Sequence, residues 1–305
     1  MSSGHNHVDP QAGDGRVLLA IVVNLVLTVA QVVGGALSGS LALVADALHN
    51  FSDAIALVIA FGARKIGRRP RDESMTFGYG RIEVVAALIN YTTLIVIGLY
   101  LLYEAGMRFL NPQPVVGWTV IVIAGIALVV DMVTALLTYA MSRNSVNIRA
   151  AFLHNVADAL GSVAVIVAGT LILLFDWSLV DPIVTAMIAT YILWQSAREI
   201  GPVVRILMLG SPPDIETDSV LQAVRVVDGV EDIHHAHFWL MDEHRAALDA
   251  HVVVEVGRWA DADAVKASVK GMLRERFGII HSTLELECSR HSCTEASNCA
   301  SKQKD

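Results

Sequence analysis

Long uncharged stretches dominate the first two thirds of the chain. Val17 to Ala45 holds no charged residue, and the apolar pattern resumes from Ala54 to Ala63. Together these are too long for one crossing of a hydrocarbon core about 30 Å thick. The small residues Gly34-Gly35-Ala36-Leu37-Ser38-Gly39-Ser40 read as a turn, predicting one helix over Val17–Val33 and a second over Ser40–Ala63. Further spans are predicted at Val84–Tyr103, at Phe109–Val130 continuing past Asp131 to Met141, at Ile148–Phe175 and at Trp177–Ala197. Each reaches the ~20 residues a membrane helix needs, which makes six. The first stretch has no small-residue cleavage site and no basic leader beyond Arg16, so it is expected to be a retained span and not a signal peptide.

After Gly210-Ser211-Pro212-Pro213 the pattern becomes that of a small water-soluble unit. Asp218–Val227 has helical spacing, Val230–Met241 and Ala246–Val256 read as strands, Ala262–Phe277 as a helix and Ile279–Leu286 as a strand. The order αββαβ predicts a ferredoxin-like α+β unit with two helices on one face of a three-stranded sheet. The expected fold class is thus a polytopic α-helical membrane protein with a small C-terminal domain. Its divisions are a tail over 1–15, a six-helix domain over 16–209, the α+β domain over 210–288 and a polar tail over 289–305.

Composition supports the membrane assignment, since 54% of residues are hydrophobic, 17% are charged and the mean hydropathy is +0.54. Soluble domains carry nearer a quarter charged residues. Up to residue 210 there are 12 basic and 13 acidic residues, and beyond it 10 and 17. Neither part has the clustered positive surface that a phosphate backbone requires, which excludes a nucleic-acid partner. Cys288, Cys293 and Cys299 all fall near the C-terminus, too close together to staple the fold, and read as reduced thiols or soft metal ligands.

Basic residues sit in alternate loops: Arg64, Lys65, Arg68, Arg69 and Arg71 after the second span, Arg143 and Arg149 after the fourth, Arg198 and Arg205 after the sixth. The opposite loops hold Arg108 alone. This places both termini and the α+β domain in the cytoplasm. Trp118, Trp177 and Trp194 fall near span ends, where indole rings favour the interface. Asn24 and Asp131 are lone polar residues expected to hydrogen-bond between helices.

One pattern recurs inside the membrane. Leu48-His49-Asn50-Phe51-Ser52-Asp53-Ala54 in the second span matches Leu153-His154-Asn155-Val156-Ala157-Asp158-Ala159 in the fifth, 105 residues later. Ionisable groups at membrane depth cost a few kcal/mol each, so they read as a pathway or binding site. A single buried histidine is more often a packed core group than a ligand, and His-xxx-Asp alone is a weak signal. The duplication favours metal. Residues four apart share a helical face, so each span offers one imidazole beside one carboxylate. His49, Asp53, His154 and Asp158 together make a four-ligand cage suited to tetrahedral Zn²⁺, with Co²⁺ or Fe²⁺ next. Its two carboxylates neutralise the ion. Asp46, on nearly the same face, is a candidate outer partner or mouth residue, or equally a packing carboxylate.

The six spans, the paired motifs, the Phe77-Gly78-Tyr79-Gly80-Arg81-Ile82-Glu83 run and the αββαβ domain resemble the cation diffusion facilitator family, in its zinc-transporter branch. The resemblance runs over nearly all of residues 16–288. It implies a homodimeric antiporter in the lipid bilayer that exports Zn²⁺ from the cytoplasm in exchange for protons by alternating access. Histidine at position 49 is associated in that family with preference for Zn²⁺ over Cd²⁺. The short Ser142–Asn147 connection lacks the long histidine-rich loop of many eukaryotic members, which implies a bacterial inner-membrane protein. Some members carry a further histidine site before the third span, but Asp72–Arg81 contains no histidine. His5 and His7 are a meagre version of the histidine-rich terminus of other members, and read as a solvated tail.

In relatives a second metal lies in the cytoplasmic domain, between histidines on its first two strands and an acidic residue on the last. The resemblance maps these to His234, His251 and Glu287, with His281 and Glu285 as additions. Strand alternation puts His235 and His237 on one face and His234 on the other. Cys288, Cys293 and His291 add a soft cluster that is as readily a disordered tail as a zinc trap. The resemblance makes zinc the transported substrate and the ligand of this domain, able to tighten the dimer. A membrane metalloenzyme is the rival class; it needs three ligands and a general base, as in HExxH, and no such string occurs. A metal sensor or a channel are further alternatives, separable by saturable, pH-gradient-dependent flux.

Overall fold

A computed structural model describes residues 14–142 and 146–288, with only the backbone described for some helical positions. The described residues form two compact units, one drawn from Met1–Gly62 with Ile89–Ile200 and the other from Ala63–Leu88 with Gly201–Asp305. Six long helices come first: α1 (Asp14–Ser38), α2 (Leu41–Gly67), α3 (Ile82–Leu110), α4 (Gly117–Ser142), α5 (Val146–Phe175) and α6 (Val180–Leu207). Three described stretches, Ile82–Leu110, Gly117–Leu136 and Asn155–Phe175, are long and apolar enough to cross a membrane by length and composition. The chain is a polytopic helical membrane protein with a C-terminal α+β domain.

Three boundaries differ from those expected from the sequence. Gly34 and Gly35 lie inside α1 and not in a turn. A Cβ on Gly34 would run into Ile123 Cδ1, and one on Gly35 would stand 2.6 Å from Val44 Cγ2. The glycines let α1 approach its neighbours closely, a use of small residues typical of membrane helices. The turn falls instead at Gly39, whose φ of 75° suits a residue without Cβ. Phe109 and Leu110 complete α3 instead of opening the fourth span, because Pro112 and Pro114 cannot continue a helix. At the other end, α6 starts at Val180 and runs on through Pro202, so Trp194 sits inside the helix, with the Arg198 guanidinium 5.9 Å from its ring.

In the helical unit, α4 packs along α5 and against α1. Ala42 and Leu43 of α2, Val120 and Ala124 of α4, Val165 and Ala168 of α5 and Val180 and Val184 of α6 form one buried cluster. Leu41, Ala45, Leu101, Ala105 and Ala189 form another between α2, α3 and α6. Polar pairs bridge helices as well. Ser162 Oγ donates to Asp131 Oδ2 at 3.0 Å between α5 and α4, a helix-to-helix hydrogen bond of the kind expected for Asp131. Ser52 Oγ donates to Asn90 Oδ1 at 3.2 Å between α2 and α3. The Asn24 side chain lies outside the described residues.

The second unit contains α7 (Thr217–Arg225), β1 (Val230–Leu240), β2 (Ala246–Val254), α8 (Ala262–Phe277) and β3 (His281–Cys288). β2 lies in the middle, antiparallel to β1 and parallel to β3, with α8 as the crossover. Val220 and Val224 of α7, Ile233 and Phe238 of β1, Leu248 and Val252 of β2 and Val265, Val269 and Leu273 of α8 fill one core. Gly278, at φ 68°, ends α8 in the left-handed cap that frees the chain to enter β3. The same unit holds the α2–α3 loop. There Asp72 Oδ1 accepts from the Ser74 and Met75 amides at 2.9 and 2.8 Å, and Oδ2 accepts from the Tyr79 hydroxyl. Arg81 Nε donates to the Met241 carbonyl at 2.9 Å.

A Cβ on Gly117 would stand 2.5 Å from the Gly169 carbonyl oxygen and 2.9 Å from Leu173 N, backbone atoms that cannot rotate away. Gly117→Val is therefore expected to cost about 1–3 kcal/mol through forced separation of α4 from α5, read as a lower melting temperature in detergent. The Tyr79 hydroxyl, then Ser74, hold the Asp72 carboxyl down to about 2. A depressed carboxyl stabilises the loop fully above its ordinary value near 4, and that support is lost as the pH falls toward 2. Followed by NMR, the Asp72 carboxyl is expected to titrate well below the ordinary carboxylate range in the wild type and to move back toward it in Tyr79→Phe; the same titration in both proteins contradicts the assignment.

Candidate metal-binding sites

α2 and α5 bring part of the duplicated motif together. His49 Nε2 lies 3.1 Å from Asp158 Oδ1 and 3.6 Å from Asp53 Oδ2. One ligand atom from each of His49, Asp53 and Asp158 falls within 4.8 Å of the others. His49 and Asp53 share a face of α2 because they are four residues apart, and Asp158 meets them from α5. The side chains are sheltered: His49 is 9% exposed, Asp158 11% and Asp53 26%. An imidazole and two carboxylates so gathered offer one nitrogen and two oxygens to a dication, and their charges offset the ion's. The fourth residue of the motif, His154, belongs to α5, and its side chain lies outside the described residues.

Asp46 does not join that group of ligand atoms. Its carboxylate accepts from Gln31 Nε2 of α1, and Gln31 Oε1 in turn accepts from Asn50 Nδ2 at 3.1 Å. On its other side it lies against Gly161 of α5, where a Cβ would be 3.6 Å from Oδ1. Gln31 is fully buried. With Asn24 it is one of two side-chain amides in the largely apolar α1, and it is the one that sequence reading passes over. Asn50, next to His49 in the motif, completes the bridge.

In the α+β domain, His234 of β1 pairs in register with His251 of β2, and His251 with Glu285 of β3. His251 Nδ1 is 2.6 Å from Glu287 Oε1, and His234 Nε2 is 3.2 Å from Glu287 Oε2. Donor atoms of these three residues lie within 4.8 Å of one another. His234 Nε2 is buried and, although it stands 3.2 Å from Glu287 Oε2, makes no well-aligned hydrogen bond, so a metal ion held between the two would satisfy it. Glu285 is mostly exposed, with Oε2 3.4 Å from His251 Nε2. His281 lies elsewhere: it is opposite Ala247, and its ring meets Phe77 at 5.6 Å. Cys288 ends β3 opposite Val254. His291 and Cys293 lie outside the described residues, as do His5 and His7.

Strict alternation on β1 breaks at a bulge between His234 and His237. His235 takes φ 46° there, and its ring stands 5.0 Å from that of His237 and 4.9 Å from that of His251. It is therefore close to the His234 cluster, although period-two counting assigns it to the opposite face. Nothing in the sequence marks the bulge, because the residue that makes it is not a glycine.

A family model described as the cation efflux transmembrane domain matches residues 17–208, and one described as the cation efflux protein cytoplasmic domain matches residues 212–288. The chain is 33% identical over 304 residues to the "Cadmium, cobalt and zinc/H(+)-K(+) antiporter" of Bacillus subtilis, covering 99% of this chain and 97% of the relative. It is 34% identical to the "Zinc transporter ZitB" of Pectobacterium atrosepticum, covering 94% and 89%. A solved structure, the "Metal-bound C-terminal domain of the CzcD transporter from Cuprividus metallidurans", is 27% identical at a TM-score of 0.23, covering 24% of this chain and 99% of that one.

Proposed function

The chain belongs to the cation efflux family of metal cation transporters, and from that premise we propose that it exports Zn²⁺ from the cytoplasm in exchange for protons. The observation that carries this reading is the approach of His49 and Asp53 on α2 to Asp158 on α5. His154, one turn before Asp158 on α5, is the fourth ligand of a tetrahedral cage with two nitrogens and two oxygens. Such a donor set favours Zn²⁺ over alkali and hard alkaline-earth ions. Zinc is the cation named for the Pectobacterium relative, and cadmium and cobalt are named with it for the Bacillus one.

Proton coupling follows from the ligands. Imidazole, with an ordinary pKa near 6.5, binds metal only when neutral, so protons and zinc compete for the same atoms in the physiological range. The cage loads zinc while open to the cytoplasm, the helices rock, and protons from the far side displace the ion. The protein acts as a dimer in the bacterial inner membrane, with both termini and the domain over 210–288 in the cytoplasm. There His234, His251 and Glu287 take a second zinc, supported by their convergence and by a buried His234 nitrogen that makes no hydrogen bond. Zinc at this point tightens the dimer and biases transport, provided it binds the two transport states with different affinity.

Asp158→Ala is expected to abolish pH-gradient-driven zinc uptake into proteoliposomes while leaving a dimer on size exclusion; normal uptake would end the proposal. Glu287→Gln should lower bound zinc in the purified full chain by one ion per protomer, measured by elemental analysis, with uptake still detectable.

A further inference from the structure

Asp181, in the first turn of α6, is 1% exposed and belongs to neither metal cluster. Its carboxylate reaches the start of α2. Oδ1 accepts from the Ser40 hydroxyl and from Ala42 N at 3.2 Å, and Oδ2 accepts from Leu41 N at 2.8 Å. Arg108, in the last turn of α3, stands 3.9 Å from Oδ2 and donates to the Gly39 carbonyl in the α1–α2 turn. One carboxylate therefore ties the ends of α2, α3 and α6 together.

Capping alone does not call for this arrangement. Ser40 Oγ already accepts from Leu43 N at 3.1 Å, the local cap that a helix start needs. A buried charge is expensive to desolvate and a poor device for stability by itself; its best-attested use is to select one arrangement over others. The positive end of the α2 dipole and the Arg108 guanidinium both face this carboxylate.

The helix so held is the one that carries His49 and Asp53. From Leu41 to His49 the rise is about 12 Å at ~1.5 Å per residue, a distance over which a helix moves as a rod. Any shift or rotation at its start reaches the ligands undiminished, and a coordination site tolerates only about 0.5 Å of misplacement. We propose that Asp181 is a positioning residue for zinc transport: by holding the start of α2 against α3 and α6, it sets the height and rotation at which His49 and Asp53 meet Asp158. This rests on the reading of that cage as the transport site.

Asp181→Asn keeps the shape and removes the charge. In proteoliposomes containing equal amounts of folded protein, its KM for Zn²⁺ is expected to rise about tenfold or more, and its preference for Zn²⁺ over Cd²⁺ to fall, because a loosened cage discriminates less by geometry. Arg108→Gln should move both quantities in the same direction by less. A merely structural role lowers yield or maximal rate and leaves KM and ion preference alone, so wild-type values of both in Asp181→Asn overturn the proposal. Should that variant not fold, Ser40→Ala removes one bond of the clamp and is expected to raise KM about two- to fivefold; an unchanged KM there overturns it equally. Failure of the underlying reading has a different signature, namely wild-type protein that carries no zinc, or Asp158→Ala that carries it normally.

Discussion

A charge inside a bilayer must be met by an opposite charge or by hydrogen bonds, and that requirement organises the helical unit. α2 shows it most fully. It is bonded to α1 through Asp46 and Gln31, to α3 through Ser52 and Asn90, to α5 through His49 and Asp158, and to α6 through Asp181. Apolar packing between membrane helices lacks the drive it has in water, since lipid tails are as apolar as leucine. Specific polar ties therefore choose among packings that dispersion alone would leave nearly equal. Among the described residues α2 is thus tied by polar side chains to four other helices, and under the proposed function it also carries two of the ligands.

The duplicated His-xxx-Asp string is legible in sequence because two independent facts coincide, a spacing that selects one helical face and a recurrence in a second span. The α+β order is legible for a related reason, since period-two strands and an amphipathic helix leave different traces. The helix ends are less so. Gly34 and Gly35 carry the composition of a turn, yet serve close approach to Ile123 and Val44, and only the neighbours in space distinguish the two uses. Phe109 and Leu110 are apolar enough to open a span, while the two prolines after them decide that they close one. Asp181 escapes notice because an acidic residue in a first helical turn is ordinary, and its partners lie about 140 positions away. Long-range polar pairs of this kind leave no local pattern.

The cluster around His251 illustrates a second limit. Its members come from all three strands, with β2 in the middle, so one side chain on the central strand faces His234 on one neighbour and Glu287 on the other. Sequence reading can name candidate ligands on each strand but cannot set the register that aligns them, and it is the register that separates His281 from Glu285 and Glu287.

The interruption at His235 has an effect unrelated to metal. β1 is an outer strand of a three-stranded sheet, and a regular outer strand presents a row of unpaired amides and carbonyls to any similar strand that drifts past. Proteins confined to a membrane plane meet copies of themselves often. By throwing the strand out of step midway, the kink leaves β1 without a long straight edge for a second sheet to pair with.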